Sequence, residues 1–415
     1  MSMETLPCGH VAEAGDIRMC AHLVAEKPPW ASYRCLTGRG LEYVRLCEPC
    51  VDGGLSATVT VCVGCVERVE AQTHSRGTRG RPEFRRRDEV LAEPTSVACT
   101  VVPRNEYCLA ALPDGWLALT DDALIRIADD GATTFVGEVD FEEWYDPDDE
   151  NSPEAVGDFE IGSGLHVSPD GRFAAVVTNF GRYGIVIDLS DGSVVLELDR
   201  TFDDNWTTFF PFAFLPDGTF VTATASNCLD RFDLATGNCL TERDISYGTE
   251  RYVDCFHGGL TPSPSGRWLI DDGWVWMPIG VLSAIDTVAW ARDRYAAEHG
   301  VTVDDPDGDW NRPLAWLDDE MVAVQRIGRS WDRMIDGVTL YRAPTFEKVG
   351  HFYGPTGRMW AHRGRLHTVT DEGMEVWDPA DGARIGLLKG FSPTAHNRAA
   401  GVFAQLTDGQ LRTWR

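Results

Sequence analysis

Lysine is almost missing from this chain. Only Lys27, Lys348 and Lys389 are lysines among 37 basic residues; the rest are arginine. Against 65 acidic residues this leaves a net charge of −28, which excludes a non-specific electrostatic grip on nucleic acid by the body as a whole. Long apolar runs are also missing. A stretch such as 209–215 falls far short of the roughly 20 residues that a membrane-spanning helix needs, and the polar N-terminus has no charged-then-apolar leader. The expected setting is therefore cytoplasmic, with no membrane partner, and there clustered cysteines hold metal more readily than they form disulfides. There is no phosphate-binding glycine loop, no His-Glu-x-x-His and no Gly-x-Ser-x-Gly elbow, which leaves no motif for a nuclease, protease or kinase.

What is present begins with cysteine. Seven of the twelve cysteines fall in residues 1–74, most of them in pairs: Cys8 with His10, Cys20 with His22, Cys47 with Cys50, and Cys62 with Cys65. Two Cys-x-x-Cys knuckles eleven residues apart are a strong zinc signal, because each knuckle aims two thiolates at a point about 2.3 Å from both sulfurs. The eight ligands suffice for two closed tetrahedral sites, the structural arrangement, and spacing leaves sequential, crossed and nested pairings open. Cys35 and His74 are spare donors. So small a segment has few aliphatic positions for a core, and bound zinc contributes on the order of 10 kcal/mol of folding free energy.

Residues 75–94 form a connector. From His74 to Arg87 the chain holds Arg76, Arg79, Arg81, Arg85, Arg86 and Arg87 against one acid, Glu83, with Gly77, Gly80 and Pro82 opposing regular structure. It reads as a flexible basic linker that lies against the acidic body or stays solvated. A sharper reading gives Arg85, Arg86 and Arg87 an anionic partner such as nucleic acid, since guanidinium forks suit phosphate oxygens.

From residue 95 onward short strands of alternating polarity recur, an all-β pattern. One turn repeats as Ile187-Asp188 through Gly192, Phe232-Asp233 through Gly237 and Trp377-Asp378 through Gly382. In it an aspartate caps the turn and a glycine supplies the positive φ. A second turn, after the first strand of each unit, falls at Gly115, Gly171, Gly218, Gly266, Asp319, Gly364 and Arg398, which counts seven units. The sixth is the most regular, with strands expected at 358–362, 365–370, 374–378 and 383–389. The last unit lacks an outer strand, and 97–102 is the expected donor that closes the ring and removes a sheet edge.

On these residues the span 95–415 resembles WD40-like and YVTN-type seven-bladed β-propellers. Trp377-Asp378 is the one Trp-Asp dipeptide, preceded by Gly350-His351; with one such unit of seven, the YVTN or quinoprotein-like group ranks ahead of strict WD40. Through Cys20-Ala21-His22, the run Tyr33 to Gly40 and the two knuckles, the N-terminal module resembles bacterial zinc-ribbon or treble-clef fingers. That resemblance implies a small docking unit.

Insertions decorate the ring. An acidic loop carries Trp144, Tyr145 and Asp146, residue types suited to a partner contact. A helix is expected over 283–299, with Ser283 as N-cap and Gly300 as stop. Asp305, Asp307 and Asp309 alternate as calcium ligands do, though without the glutamate of an EF-hand. His396-Asn397 and Asn205-Trp206 are candidates to reach a central channel, and His257-Gly258-Gly259 reads as a turn leading into a unit. The expected function is a non-enzymatic cytoplasmic scaffold that binds a protein through propeller and zinc module. The alternatives are a propeller hydrolase or lactonase with a divalent cation in its channel, and nucleic-acid binding through the module and linker.

Overall fold

Strand pairing was obtained from a computed structural model. It describes residues 83–139, 162–200, 207–225, 227–244, 253–275, 279–303, 310–327 and 335–415, together with the backbone of six further strands. Four of those six are Ile17–Cys20, Trp30–Thr37, Gly40–Cys47 and Thr58–Val61, which form one sheet within the N-terminal module. The backbones of Cys20 and Cys47 end two adjacent parallel strands of it. Cys8, His10, His22, Cys50, Cys62 and Cys65 lie outside the described residues, as do Trp144, Tyr145, Asp146, Asn205, Trp206, Asp305, Asp307 and Asp309.

Apart from the two-stranded pair Ala155–Val156 and Phe159–Glu160, the remainder is a ring of seven small antiparallel sheets, six of them runs of consecutive strands. Blade six comprises Met359–His362, Arg365–Thr370, Gly373–Asp378 and Ala383–Lys389, within one residue of expectation at every end. Blade seven comprises Ala395–Asn397, Val402–Thr407 and Gln410–Trp414, completed by Thr95–Ala98 from the far end of the chain. The donor strand thus pairs slightly earlier than the expected 97–102. Blade three has three named strands, Phe212–Phe214, Thr219–Ala225 and Cys228–Asp233, plus a bridge from Phe232 to Cys239.

Seven apolar clusters fill the spaces between blades, one for each adjacent pair. The last of these joins blade seven to blade one through Val402, Ala404 and Leu411 against Leu109, Trp116 and Ile127. The central strands are buried on both faces, so they read as near-continuous apolar runs rather than alternating ones; Phe173–Asn179 (FAAVVTN) is an instance.

The repeated aspartate turn behaves alike in all three places. Asp188, Asp233 and Asp378 each accept a backbone N–H from Ser190, Thr236 and Ala380 through the side chain. Their carbonyls take the N–H of Gly192, Gly237 and Gly382. The closing glycine of blade six sits at φ +69°. The other turn links neighbouring blades: a Cβ on Gly171 would lie 2.4 Å from Pro113, and one on Gly266 2.4 Å from Pro216. The proline of one blade's turn therefore covers the glycine of the next. Asp319, which replaces that glycine in blade five, accepts the Ser265 N–H at 2.8 Å instead.

One expectation is corrected. Ser283 is not an N-cap: it lies within the strand Ile279–Asp286, paired with Asp271, and the helix is the single turn Thr287–Trp290 followed by a 3-10 turn, Ala296–His299. Asp286 supplies the cap, accepting from Val288 N at 2.9 Å and Ala289 N at 3.1 Å. The strand wins because its alternate positions are already buried between blades, and a carboxylate one residue before the turn caps it directly. Of the expected linker, residues 83–91 lie against the body, one of its two expected settings. They run along the outer strand of blade six, with Arg384 N bonded to Arg85 O, Arg87 N to Arg384 O and Glu89 N to Ile385 O. Phe84 packs on Trp377 at 4.9 Å between centroids, and Arg87 pairs with Asp378 and Asp381 of the Trp-Asp turn. An exposed strand edge attracts pairing, and the turn aspartates attract the arginine.

Candidate interaction face

In a four-stranded antiparallel blade the first-to-second and third-to-fourth connections fall on one side of the ring. The second-to-third connection and the crossing to the next blade fall on the other. Both repeated turns therefore share one face. The long connections 139–161, 200–211, 242–255 and 303–313 all leave and re-enter on the opposite, loop face, the first of them carrying Trp144, Tyr145 and Asp146. The helical segment of blade four is an exception, since it joins a third strand to a fourth.

At the mouth of the channel on the loop face, Tyr107 is 39% exposed and packs edge-on to Phe209 at 5.4 Å, which in turn meets Phe180 at 5.0 Å. The Arg358 guanidinium sits 4.2 Å from the Tyr107 ring centroid and donates to Glu106 O at 2.8 Å and Thr394 O at 3.2 Å. Tyr107 is held from below. Its N–H bonds to Asn105 Oδ1, its carbonyl accepts Leu165 N–H, and Asn105 reaches across to Ser163 O. Phe209 is fixed by the fully buried Arg200, which donates to Gly181 O at 2.6 Å, Thr208 Oγ1 at 3.1 Å and Phe209 O at 3.4 Å. Burial pushes the Arg200 guanidinium down to about 9. Trp310 and Asn311, at the far end of the Asp305 connection, both donate to Thr207 O at 2.8 Å.

Beneath this mouth is a cavity of about 220 Å³ lined by Tyr107, Asn179, Phe209 and Gly259, and toward the turn face a second of about 540 Å³. His396 and His166 line the second, with Trp316, Trp360 and Arg398. Burial lowers His166 to about 4 and His396 to about 3, so both are neutral at physiological pH. Among the described residues that line these cavities there is no carboxylate, so they supply no hard oxygen set for a divalent cation. Asn397 does not reach the channel as a ligand; its side chain donates to Leu112 O at 2.9 Å and pins blade seven to blade one. His257-Gly258-Gly259 lies in the inner strand Phe256–Pro262 rather than in a turn.

Of the candidate contact residues, Arg85 gives its carbonyl to Arg384, Arg86 covers the Phe84 ring at 4.8 Å and Arg87 is paired with two aspartates. Arg87 is thus committed to the Trp-Asp turn, while Arg85 and Arg86 are exposed. The aromatic group of Tyr107, Phe180 and Phe209 was not singled out from sequence. Its only trace there is an aromatic residue just ahead of an inner strand, at Tyr107 and Phe209.

The architecture is that of a seven-bladed β-propeller. No family model matches the chain, and no curated protein matches it. A chain from a solved structure described as "Crystal Structure of Mitotic Checkpoint Complex" is similar in fold, with TM-score 0.51 and 13% identity over 81% of this chain and 98% of that one. At that identity the likeness is one of fold.

Proposed function

We propose that this chain is a non-enzymatic scaffold that binds a protein partner on the loop face of its propeller. The observation that supports this reading is the half-exposed aromatic group of Tyr107, Phe209 and Phe180 beside Arg358, on the face that also carries the long connections. Aromatic and arginine side chains dominate the energetics of protein interfaces, because they bury large area at little entropic cost. A propeller supplies rigidity, so the loops are presented without the ordering cost that weakens flexible binders. A chain of similar fold belongs, by its description, to a multiprotein complex, the same use of the architecture. In this reading the N-terminal module, with two zinc ions held by Cys8, His10, Cys20, His22, Cys47, Cys50, Cys62 and Cys65, adds a second tethered contact that raises avidity.

The test is co-purification with the full-length tagged chain. The pair Tyr107→Ala and Arg358→Ala, with unchanged circular dichroism, is expected to lose retained protein at least about tenfold. Phe135→Ala, on an outer strand away from the mouth, is expected to retain it. Equal retention by both variants would overturn the proposal.

A further inference from the structure

Blade four brings three ligand-type side chains together. Cys255 stands just ahead of the inner strand Phe256–Pro262 and His257 is its second residue; positions two apart project to the same side of an extended chain. Asp271 comes from the neighbouring strand Trp268–Val275. In regular register Asp271 faces Leu260, and an irregularity between Phe256 and Gly259 is what brings His257 toward it. The sulfur, a ring nitrogen and a carboxylate oxygen all lie within 4.8 Å of one another. His257 Nδ1 is 2.7 Å from Asp271 Oδ2. The other carboxylate oxygen accepts Gly258 N–H at 3.0 Å, and the His257 carbonyl accepts the Thr208 hydroxyl at 3.0 Å. The Asp271 carboxylate and the His257 backbone are thus fixed by outer contacts, as the surroundings of metal ligands commonly are. Asp271 is 1% exposed.

We propose that Cys255, His257 and Asp271 bind one divalent ion of zinc type, at a site separate from the eight N-terminal ligands. A thiolate, imidazole and carboxylate set suits zinc, and its soft sulfur disfavours calcium and magnesium. Bond lengths of about 2.0–2.3 Å place tetrahedral ligand atoms roughly 3.3–3.8 Å apart. The ion enters by opening the His257–Asp271 contact by roughly 0.6 Å and drawing the sulfur in, with release of the thiol proton and with the imidazole proton carried on the ring nitrogen that does not face the ion. A His–Asp hydrogen bond alone would join the two strands without a sulfur beside it. Three protein ligands leave a fourth position for water or for a side chain of the bound partner. The net charge of −28 raises local cation concentration.

The test uses the full-length chain, stripped of metal and then supplied with zinc, and follows alkylation of individual cysteines by peptide mass spectrometry. Zinc is expected to slow modification of Cys255 at least about tenfold while the exposed Cys239 reacts unchanged. The protection is expected to vanish in Asp271→Asn and His257→Gln. Metal content should fall by about one equivalent per chain in Cys255→Ser. Unchanged Cys255 reactivity with zinc, or equal slowing of Cys239, would overturn the assignment without requiring any variant to fold.

Discussion

The most informative single residue for stability is a histidine that sequence reading passed over. His367, 3% exposed, lies between blades six and seven with its ring 4.5 Å from Phe403, and burial lowers it to about 3. Its unfolded value is near 6.5. Between those values the unfolded chain takes up a proton that the folded chain refuses. The stabilisation is therefore complete above about pH 6.5 and is lost as pH falls toward 3, with roughly 2 kcal/mol gone by pH 5. His396 and His166 move the same way. Urea unfolding at pH 7 and pH 5 should show a drop in stability that shrinks by about 2 kcal/mol in His367→Phe, which keeps a ring in the space and cannot titrate. An identical drop in both proteins would mean that His367 is not held neutral. The turn residues, by contrast, were legible: Asp188, Asp233 and Asp378 cap as their spacing implies, because an aspartate two or three residues ahead of a free N–H acts locally. The reason Pro113 must precede a glycine one blade later was not legible, since it is a contact between turns far apart in sequence.

At the scale of elements, local pattern located blade six almost to the residue. It failed where an edge decided the outcome. The arginine-rich connector has no periodicity of its own, yet its last part is fixed by the free edge of Ala383–Lys389 and by two turn aspartates. Phe84, set between Trp377 and the Arg384 guanidinium at 5.4 Å, is the apolar anchor of that arm. Phe84→Ala combined with Arg87→Ala should release it. Amide exchange at positions 87 and 89 is expected to accelerate at least about tenfold while the second strand of blade six keeps its protection. Unchanged exchange would show that backbone pairing alone holds the segment. The candidate site was hidden for a similar reason. Cys255, His257 and Asp271 meet only through an irregular register, and Tyr107 meets Arg358 only once the ring has closed.

Closure is the property of the whole molecule on which the loop face depends. Thr95–Ala98 pairs with Gln410–Trp414 across a separation of 318 residues for the outermost pair, Thr95 with Thr413. Bringing ends that distant together costs about 5 kcal/mol of chain entropy. The cluster between blades seven and one offsets it: Leu109, Trp116, Ile127 and Leu411 are all 4% exposed or less, and burial of such side chains contributes about 1.5–3 kcal/mol each. Those contacts form only if the donated strand holds blade seven in register, and Trp414 Nε1 to Ala92 O at 2.9 Å extends the same seam. Val97→Pro removes the backbone donor opposite Leu411 and narrows φ in the middle of the donated strand, a change that costs about 3 kcal/mol or more within a paired segment. The expected result is a lower urea midpoint together with faster exchange of the Leu411 and Thr413 amides. Because Arg358 reaches Tyr107 and Glu106 across the seven-to-one junction, opening the ring should also abolish partner retention. If the midpoint falls and retention survives, the partner is held by the N-terminal module and not by the closed face.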